Sequence, residues 1–273
     1  LMDQSYVRHT LPPVTPLGVN KIIQRRLARD FSADDLKGAI SLGRESAGRK
    51  DWNFLLVALA YGGVLKQWCE MLYDLPNRFM GVYLAPVESE LMIHHINQII
   101  ATDANPNGDK PAQKKSKSSF NVQALSFSKT QKPPKTPENT SWDILVVHNK
   151  TGGFRQVVLK NGKLVFTRLA QSAPNEKPTI TAGNIEQEIK NTIEYLKRLS
   201  FNDSSTLHIL ILIGEDIKPH ISTEAFNATN AHAFTPHEMA EKLKMPNCVL
   251  SGDRYSDIFL SCLFTQIKKH KLR

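Results

Sequence analysis

The stretch "ILVVHNKTGGFRQVVLKNGKLVFTRLA", residues 144–170, has the pattern of three consecutive strands joined by two turns. Its second turn, Asn161-Gly162, predicts a type I′ hairpin, because both central residues of such a turn need a positive φ. Its first turn, "HNKTGG", contains two adjacent glycines. The stretch therefore predicts an antiparallel three-stranded layer with a glycine-rich turn at one end.

The segments that follow predict a helix, a buried strand and further helices. Apolar residues at helical spacing predict a helix from about Asn184, and "LHILILIG" at 207–214 is typical of a core strand. "TPHEMAEKLKM" at 235–245 predicts a helix that begins with a capping box, and residues 253–269 predict a last apolar helix. Three strands, a helix and a buried strand in this order resemble the half-unit of actin-like ATPases.

The first hundred residues predict alternating helices and strands. Thr15-Pro16 is typical of a helix start, since the hydroxyl can cap the helix and proline fits its first turn. We expect a strand at 53–60, followed by a helix that includes Leu72. We expect a second strand at 81–86, followed by a helix over 87–100. Residues 105–140, rich in Pro, Lys and Ser, predict a disordered linker. The predicted organisation is an N-terminal lobe at 1–104, this linker, and a C-terminal lobe at 141–273.

The formal charge of +9 is concentrated in two segments. The linker holds seven lysines against two acids, and the last six residues, "KKHKLR", hold four basic residues, which together account for the whole excess. A nucleic-acid-binding domain usually carries its basic charge on a folded face, so we expect no nucleic-acid partner. An anionic-lipid or nucleic-acid binder acting through the linker remains an alternative, which the salt dependence of binding would test.

The glycine-rich turn could contact a phosphate group. Lys150, Thr151, Gly152 and Gly153 are the candidate nucleotide-binding residues in the turn, and Gly214, directly after a core strand, is a further candidate beside them. Active actin-like enzymes carry an acidic residue in this turn that holds Mg²⁺ through water, whereas Asp143 lies at the start of the preceding strand. We therefore interpret the turn as a degenerate nucleotide site and expect no resident cofactor, with ATP and Mg²⁺ as the open alternative.

Catalytic and metal-binding patterns give no candidate residues. The sequence has no CxxC, HExxH, Gly-x-Ser-x-Gly or Gly-x-x-x-x-Gly-Lys pattern and no nucleophile with a visible base. The expectation is a chain that is not an enzyme. Arg25, Arg26 and Arg29 lie off the apolar stripe of the first helix and are the candidate partner-binding residues.

Several segments together resemble one family. They are "YVRHTLPPVTPLGVNKIIQRRLARDF", "DWNFLLVALAYGGVLKQWCEML" and "GVYLAPVE" in the first lobe, and "VVHNKTGGFRQVVLKNGKLVFTRLA", "NIEQEIKNTIEYLKRLSF", "LHILILIG" and "DRYSDIFLSCLF" in the second. This pattern is similar to the cytoplasmic actin-like proteins of type IV pilus and type II secretion assembly platforms, the PilM and GspL cytoplasmic-domain family. The chain departs from the pattern in two ways. The acid of the second phosphate loop is missing, and the first lobe begins at its third strand.

The resemblance implies an α/β fold of the actin-like, ribonuclease-H-like (ASKHA) type, with two lobes of which the first is incomplete. It implies a non-catalytic scaffold on the cytoplasmic face of a bacterial inner membrane, with the assembly ATPase and an inner-membrane platform protein as partners; a homodimer is left open. The basic residues at the C-terminal end predict a membrane span after Arg273. An ATP-binding switch of the same fold is the alternative.

Overall fold

The computed structural model describes residues 4–45, 48–76, 84–104, 140–149, 153–171, 173 and 176–243. Within these ranges the chain forms a mixed α/β fold with two β-sheets. The expected α/β class is confirmed. The last predicted helix, at 253–269, and residues 105–139 of the linker lie outside the described residues, so the predicted domain boundaries stay a prediction.

The N-terminal part contains a small sheet of three antiparallel strands. Its strands are β1 (Gln4–Leu11), β2 (Leu36–Arg44) and β3 (Trp52–Leu59), in the order β1-β3-β2. Its helices are α1 (Pro16–Asp30), α2 (Gly63–Tyr73) and α3 (Ala85–Ala104). The Thr15 hydroxyl accepts a hydrogen bond from the Gly18 amide at 3.3 Å, which confirms the predicted cap of α1.

The C-terminal part contains a mixed sheet of five strands. They are β4 (Ser141–Asn149), β5 (Gly153–Lys160), β6 (Lys163–Ala170), β7 (Thr206–Leu212) and β8 (Asn230–Phe234), in the order β6-β5-β4-β7-β8. Strands β4, β5 and β6 are antiparallel, whereas β7 and β8 run parallel to β4. Helix α4 (Pro178–Arg198) precedes β7, and α5 (Pro236–Lys242) follows β8. The predicted hairpin is confirmed, with φ of +51° at Asn161 and +70° at Gly162.

Three apolar cores hold the two sheets and the helices packed on them together. On the outside, α1 packs on one face of the small sheet, and α4 packs on one face of the large sheet. The central core lies between the two sheets and combines residues of β3, α3, β4, β5, β6, β7 and α5. Two hydrogen bonds join the halves: the Leu164 amide donates to Glu90 Oε1 at 2.7 Å in a buried bond, and Asn97 Nδ2 donates to Asp143 Oδ1 at 2.8 Å in a partly buried one. The two sheets therefore share one core through α3.

Three sequence predictions differ from the structure. The predicted strand at 81–86 is wrong at its end, because α3 begins at Ala85. Residues 81–83 of this prediction lie outside the described residues. Helix α4 begins at Pro178 and not near Asn184; burial of Thr181 and Ala182 offsets the weak helix propensity of this first turn. Strands β2 and β8 were not predicted: β2 contains two glycines, and β8 is a short edge strand.

Candidate functional site

The carboxyl-terminal edge of the large sheet brings the predicted glycines to one place. Asn149, the last residue of β4, pairs with Gly153, the first residue of β5. Strand β7 runs parallel to β4 and pairs Leu212 with Val147, so Gly214 lies at the same edge, one strand away from the turn. Lys150, Thr151 and Gly152 lie outside the described residues. The topology thus places both described candidates, Gly153 and Gly214, at a common edge.

The two glycines have different structural roles at this edge. Gly153 has a φ of +81°, a conformation that side chains with a Cβ rarely adopt. Gly214 is buried, and its carbonyl accepts hydrogen bonds from the Ile217 amide at 3.1 Å and the Lys218 amide at 2.9 Å. These bonds turn the chain into the short 3₁₀ helix Lys218–His220. The Gly214 carbonyl is therefore used in forming the turn.

A lysine and a glutamate at the same edge bind each other. Lys218 Nζ donates to Glu238 Oε2 at 2.6 Å and also contacts Oε1. Burial alone would raise the pKa of Glu238, but the hydrogen bonds from Lys218 and Thr235 outweigh burial and hold the pKa below its usual value. The charge of each group is thus compensated by the other.

The amino-terminal end of α5, which follows β8 at this edge, is closed by a capping box. The Glu238 amide donates to Thr235 Oγ1 at 3.3 Å, and the Thr235 amide donates to Glu238 Oε2 at 2.8 Å. The sequence pattern predicted this box, and the structure confirms it. The amides of Thr235 and Glu238 therefore have partners within the chain, and no ligand is needed to satisfy them.

Asp143 lies far from the glycine-rich turn. It is the third residue of β4, six residues before Asn149, which corresponds to about 20 Å of extended strand. Burial raises its pKa, opposed by His208, by the hydrogen bond from Asn97 and by His94. As expected from the sequence, Asp143 is not placed to hold a metal ion in the turn; it joins the large sheet to α3.

Arg155 is a cation near the edge that sequence reasoning missed. Arg155 lies two residues after Gly153 on β5 and pairs with Val147 of β4. Its Nη1 donates to Thr167 Oγ1 at 3.4 Å. Burial lowers the pKa of Arg155, and burial raises the pKa of Tyr6 of β1 to about 12, with Arg155 opposing the rise. No sequence pattern links Tyr6 to Arg155, because the two residues belong to different sheets.

The predicted basic face lies on the outer side of α1. The side chains of Arg25 and Arg29 are exposed, and Arg26 is half-buried. Arg29 Nε donates to Asp30 Oδ1 at 2.7 Å, and His9 Nε2 lies within hydrogen-bonding distance of Asp30 Oδ2, at 2.9 Å. Of the three arginines, Arg29 is thus partly compensated by a neighbouring carboxylate.

Among the described residues, no group of three or more His, Cys, Asp or Glu side chains is arranged to hold a metal ion. No helix in the described part of the chain combines the length and the apolar character that a membrane span requires.

Comparison with known proteins gives a structural likeness without a sequence likeness. No protein-family model matches the chain, and no curated protein matches its sequence. Among solved structures, a chain of a "PilM-PilN type IV pilus biogenesis complex" is similar to this one, with a TM-score of 0.57 and 9% sequence identity. The match covers 97% of this chain and 76% of that chain. At this identity the comparison shows a PilM-like fold.

Proposed function

We propose that this chain is a non-catalytic scaffold of a type IV pilus or type II secretion-like assembly platform, located on the cytoplasmic face of a bacterial inner membrane. The likeness to a chain of the PilM–PilN complex over 97% of this chain is the observation that carries the proposal. A PilN-like inner-membrane protein is the proposed platform partner, and the assembly ATPase is the second. The scaffold links the two.

The chemistry of the sheet edge favours a binding role over nucleotide hydrolysis. The turn between β4 and β5 contains no acidic residue that could hold Mg²⁺, and Asp143 lies about 20 Å along the strand from it. Lys218 is bound to Glu238, and the capping box engages the amides of Thr235 and Glu238. A triphosphate would have to compete with these contacts.

The outer face of α1 is the proposed surface for a partner. Its apolar side, through Val19, Ile23 and Leu27, is buried against the small sheet. On the opposite side Arg25 is exposed and Arg26 is half-buried, so this side carries positive charge and suits an acidic segment. Surface charges of this kind mainly raise the rate of association and set specificity.

A nucleotide titration distinguishes the scaffold from the ATP-binding alternative. Fluorescent mant-ATP with Mg²⁺ is titrated into the chain and into a Gly153→Val variant, which fills the only described position of the turn that has a positive φ. We expect no saturable signal below millimolar nucleotide for either protein. Micromolar binding that the substitution abolishes would establish the ATP-binding switch instead.

Co-purification tests the partner surface. The chain is co-expressed with a PilN-like protein of the same organism, as the unmodified chain, as an Arg25→Glu/Arg26→Glu variant, and as a control with Lys190→Glu/Arg198→Glu on the exposed side of α4. We expect the first variant alone to lose at least about tenfold in affinity. Equal retention of the partner by all three proteins would exclude the α1 face, and no retention by any would contradict the proposed partner.

A further inference from the structure

Helix α2 carries an apolar stripe that the described residues leave exposed. Val64, Trp68, Met71 and Leu75 follow one another at spacings of four, three and four residues, and Leu75 continues the spacing just beyond the helix end. Their exposed fractions are 62%, 53%, 50% and 46%. Residues at this spacing lie on one side of a helix. We call these four residues the α2 stripe.

The α2 stripe is distinct from the side of the helix that anchors it. Leu65 is the one fully buried side chain of α2 among the described residues, and Cys69 and Leu72, at helical spacing from it, are half-buried. At 100° per residue this anchoring side lies about a quarter-turn from the stripe. Tyr73, which is 83% exposed, points to the side opposite the stripe. Within the described part of the chain, the stripe can therefore meet a second molecule while α2 stays attached.

We infer that the α2 stripe is a contact between two copies of this chain, related by a two-fold axis with the two α2 helices antiparallel. In this arrangement Val64 of one copy lies opposite Leu75 of the other, and Trp68 lies opposite Met71. Each apolar residue therefore meets an apolar partner, as an isologous contact requires. The Trp68 ring also meets a methionine thioether, which packs favourably against aromatic rings.

The charges of α2 favour the same arrangement. Lys66 lies in the first half of the helix, whereas Glu70 and Asp74 lie near its end; its first turn holds no acid and its last turn no base. The ends of α2 therefore leave the helix dipole uncompensated. Lys66 and Glu70 form an ion pair at 3.9 Å on the side of α2 away from the stripe, whereas Asp74 flanks the stripe. An antiparallel second copy places the positive amino-terminal end of one helix beside the negative carboxyl-terminal end of the other, where Asp74 lies. Asp74 beside the stripe disfavours an anionic membrane surface as the occupant.

The size of the α2 stripe predicts a weak dimer. A stable interface buries about 800 Å² on each partner, and a helix of 11 residues supplies less than this. We therefore expect a concentration-dependent equilibrium between monomer and dimer. Trp68 is expected to dominate the contact, because buried tryptophans near the centre of an interface contribute most to affinity.

Sedimentation velocity of the 273-residue chain over about 1–300 µM tests the inference. Trp68→Glu should raise the dimer dissociation constant at least about tenfold, and the matched Tyr73→Glu control, another exposed aromatic of α2, should leave it within about twofold. Thermal melting of both variants checks that they fold; if Trp68→Glu does not, Trp68→Ser replaces it. An unmodified chain that stays monomeric, or variants that both still dimerise, would overturn the inference.

Cysteine cross-linking tests the antiparallel register. In a background with Cys69, Cys248 and Cys262 replaced by serine, Trp68→Cys and Met71→Cys chains are oxidised separately and as a mixture. The mixture should form the Trp68→Cys/Met71→Cys heterodimer faster than either chain forms homodimers. Faster homodimers would indicate a parallel pair and overturn the register.

Co-sedimentation of a monomeric chain with phosphatidylglycerol vesicles, lost in Trp68→Glu, would instead assign the stripe to a membrane.

Discussion

Replacing Ile96 with alanine should destabilise both halves of the chain together. Ile96 lies on α3, is 1% exposed, and belongs to the core that also contains Leu55 of the small sheet and Leu145 of the large sheet. Two sheets bound this core, so the surroundings of Ile96 cannot collapse easily into the space that the lost atoms leave. Deep Ile-to-Ala substitutions cost about 2–5 kcal/mol, with the larger values where a cavity persists.

We expect a loss of about 3–4 kcal/mol in the free energy of unfolding for Ile96→Ala. A urea m-value of about 2–3 kcal/mol/M converts this loss into a midpoint lower by about 1 M or more. The control is Gln98→Ala on the same helix, whose side chain is exposed. An exposed substitution of this kind usually changes stability by less than about 0.5 kcal/mol.

Two tryptophans allow each sheet to be followed separately. Trp52 lies on β3 of the small sheet, and Trp142, which is fully buried, lies on β4 of the large sheet. Urea unfolding is recorded by fluorescence in two proteins that each retain one of these tryptophans, with the other and Trp68 replaced by phenylalanine. Ile96→Ala should lower the midpoint reported by both probes equally. A shift seen by one probe alone would refute the shared core and show that the halves unfold independently.

Three further predictions concern single side chains. Asp143→Asn keeps an oxygen acceptor for Asn97 and removes a buried charge. Because burial raises the folded pKa of Asp143, its contribution to stability is greatest below about pH 4 and is lost as pH rises through the folded pKa. The variant should therefore melt at the same or a higher temperature at pH 7, and it should lose less stability than the unmodified chain between pH 4 and pH 7. Gly153→Ala should lower the free energy of unfolding by about 1–2 kcal/mol because of the positive φ at this position. Gly183→Ala, in an exposed helical position with open space around the added Cβ, should raise it by up to about 1 kcal/mol in the same urea titration. Equal effects of the two substitutions would contradict the reasoning. Thr235→Ala should lower the free energy of unfolding by about 1 kcal/mol through loss of the α5 cap, and an unchanged melting curve would show that the cap is unimportant.

Local signals in the sequence predicted the elements that have strong periodicity or turn chemistry. The Asn161-Gly162 hairpin, the cap of α1 at Thr15 and the capping box at Thr235 depend on residues close together in the chain, and all three are confirmed. Strand β8 has no such signal. Its five residues are held by parallel pairing with β7, and the pairing depends on the folded sheet.

The candidate site was predictable only in part. Gly153 and Gly214 are distant in sequence, and the strand order brings them to one edge. The pairing of Lys218 with Glu238 and the electrostatic interaction of Arg155 with Tyr6 join residues from separate elements. Interactions between charged groups of separate elements leave no pattern in a single sequence, so only the structure reveals them.

The most direct test of the scaffold proposal is the binding of the cytoplasmic segment of a PilN-like membrane protein to the purified chain, measured by isothermal titration calorimetry with and without Mg²⁺ and ATP. The proposal predicts micromolar or tighter binding of the segment, the same affinity in the presence of nucleotide, and no binding heat from Mg²⁺ and ATP alone. Absence of binding by the segment, or micromolar binding of ATP that changes its affinity, would contradict the proposal.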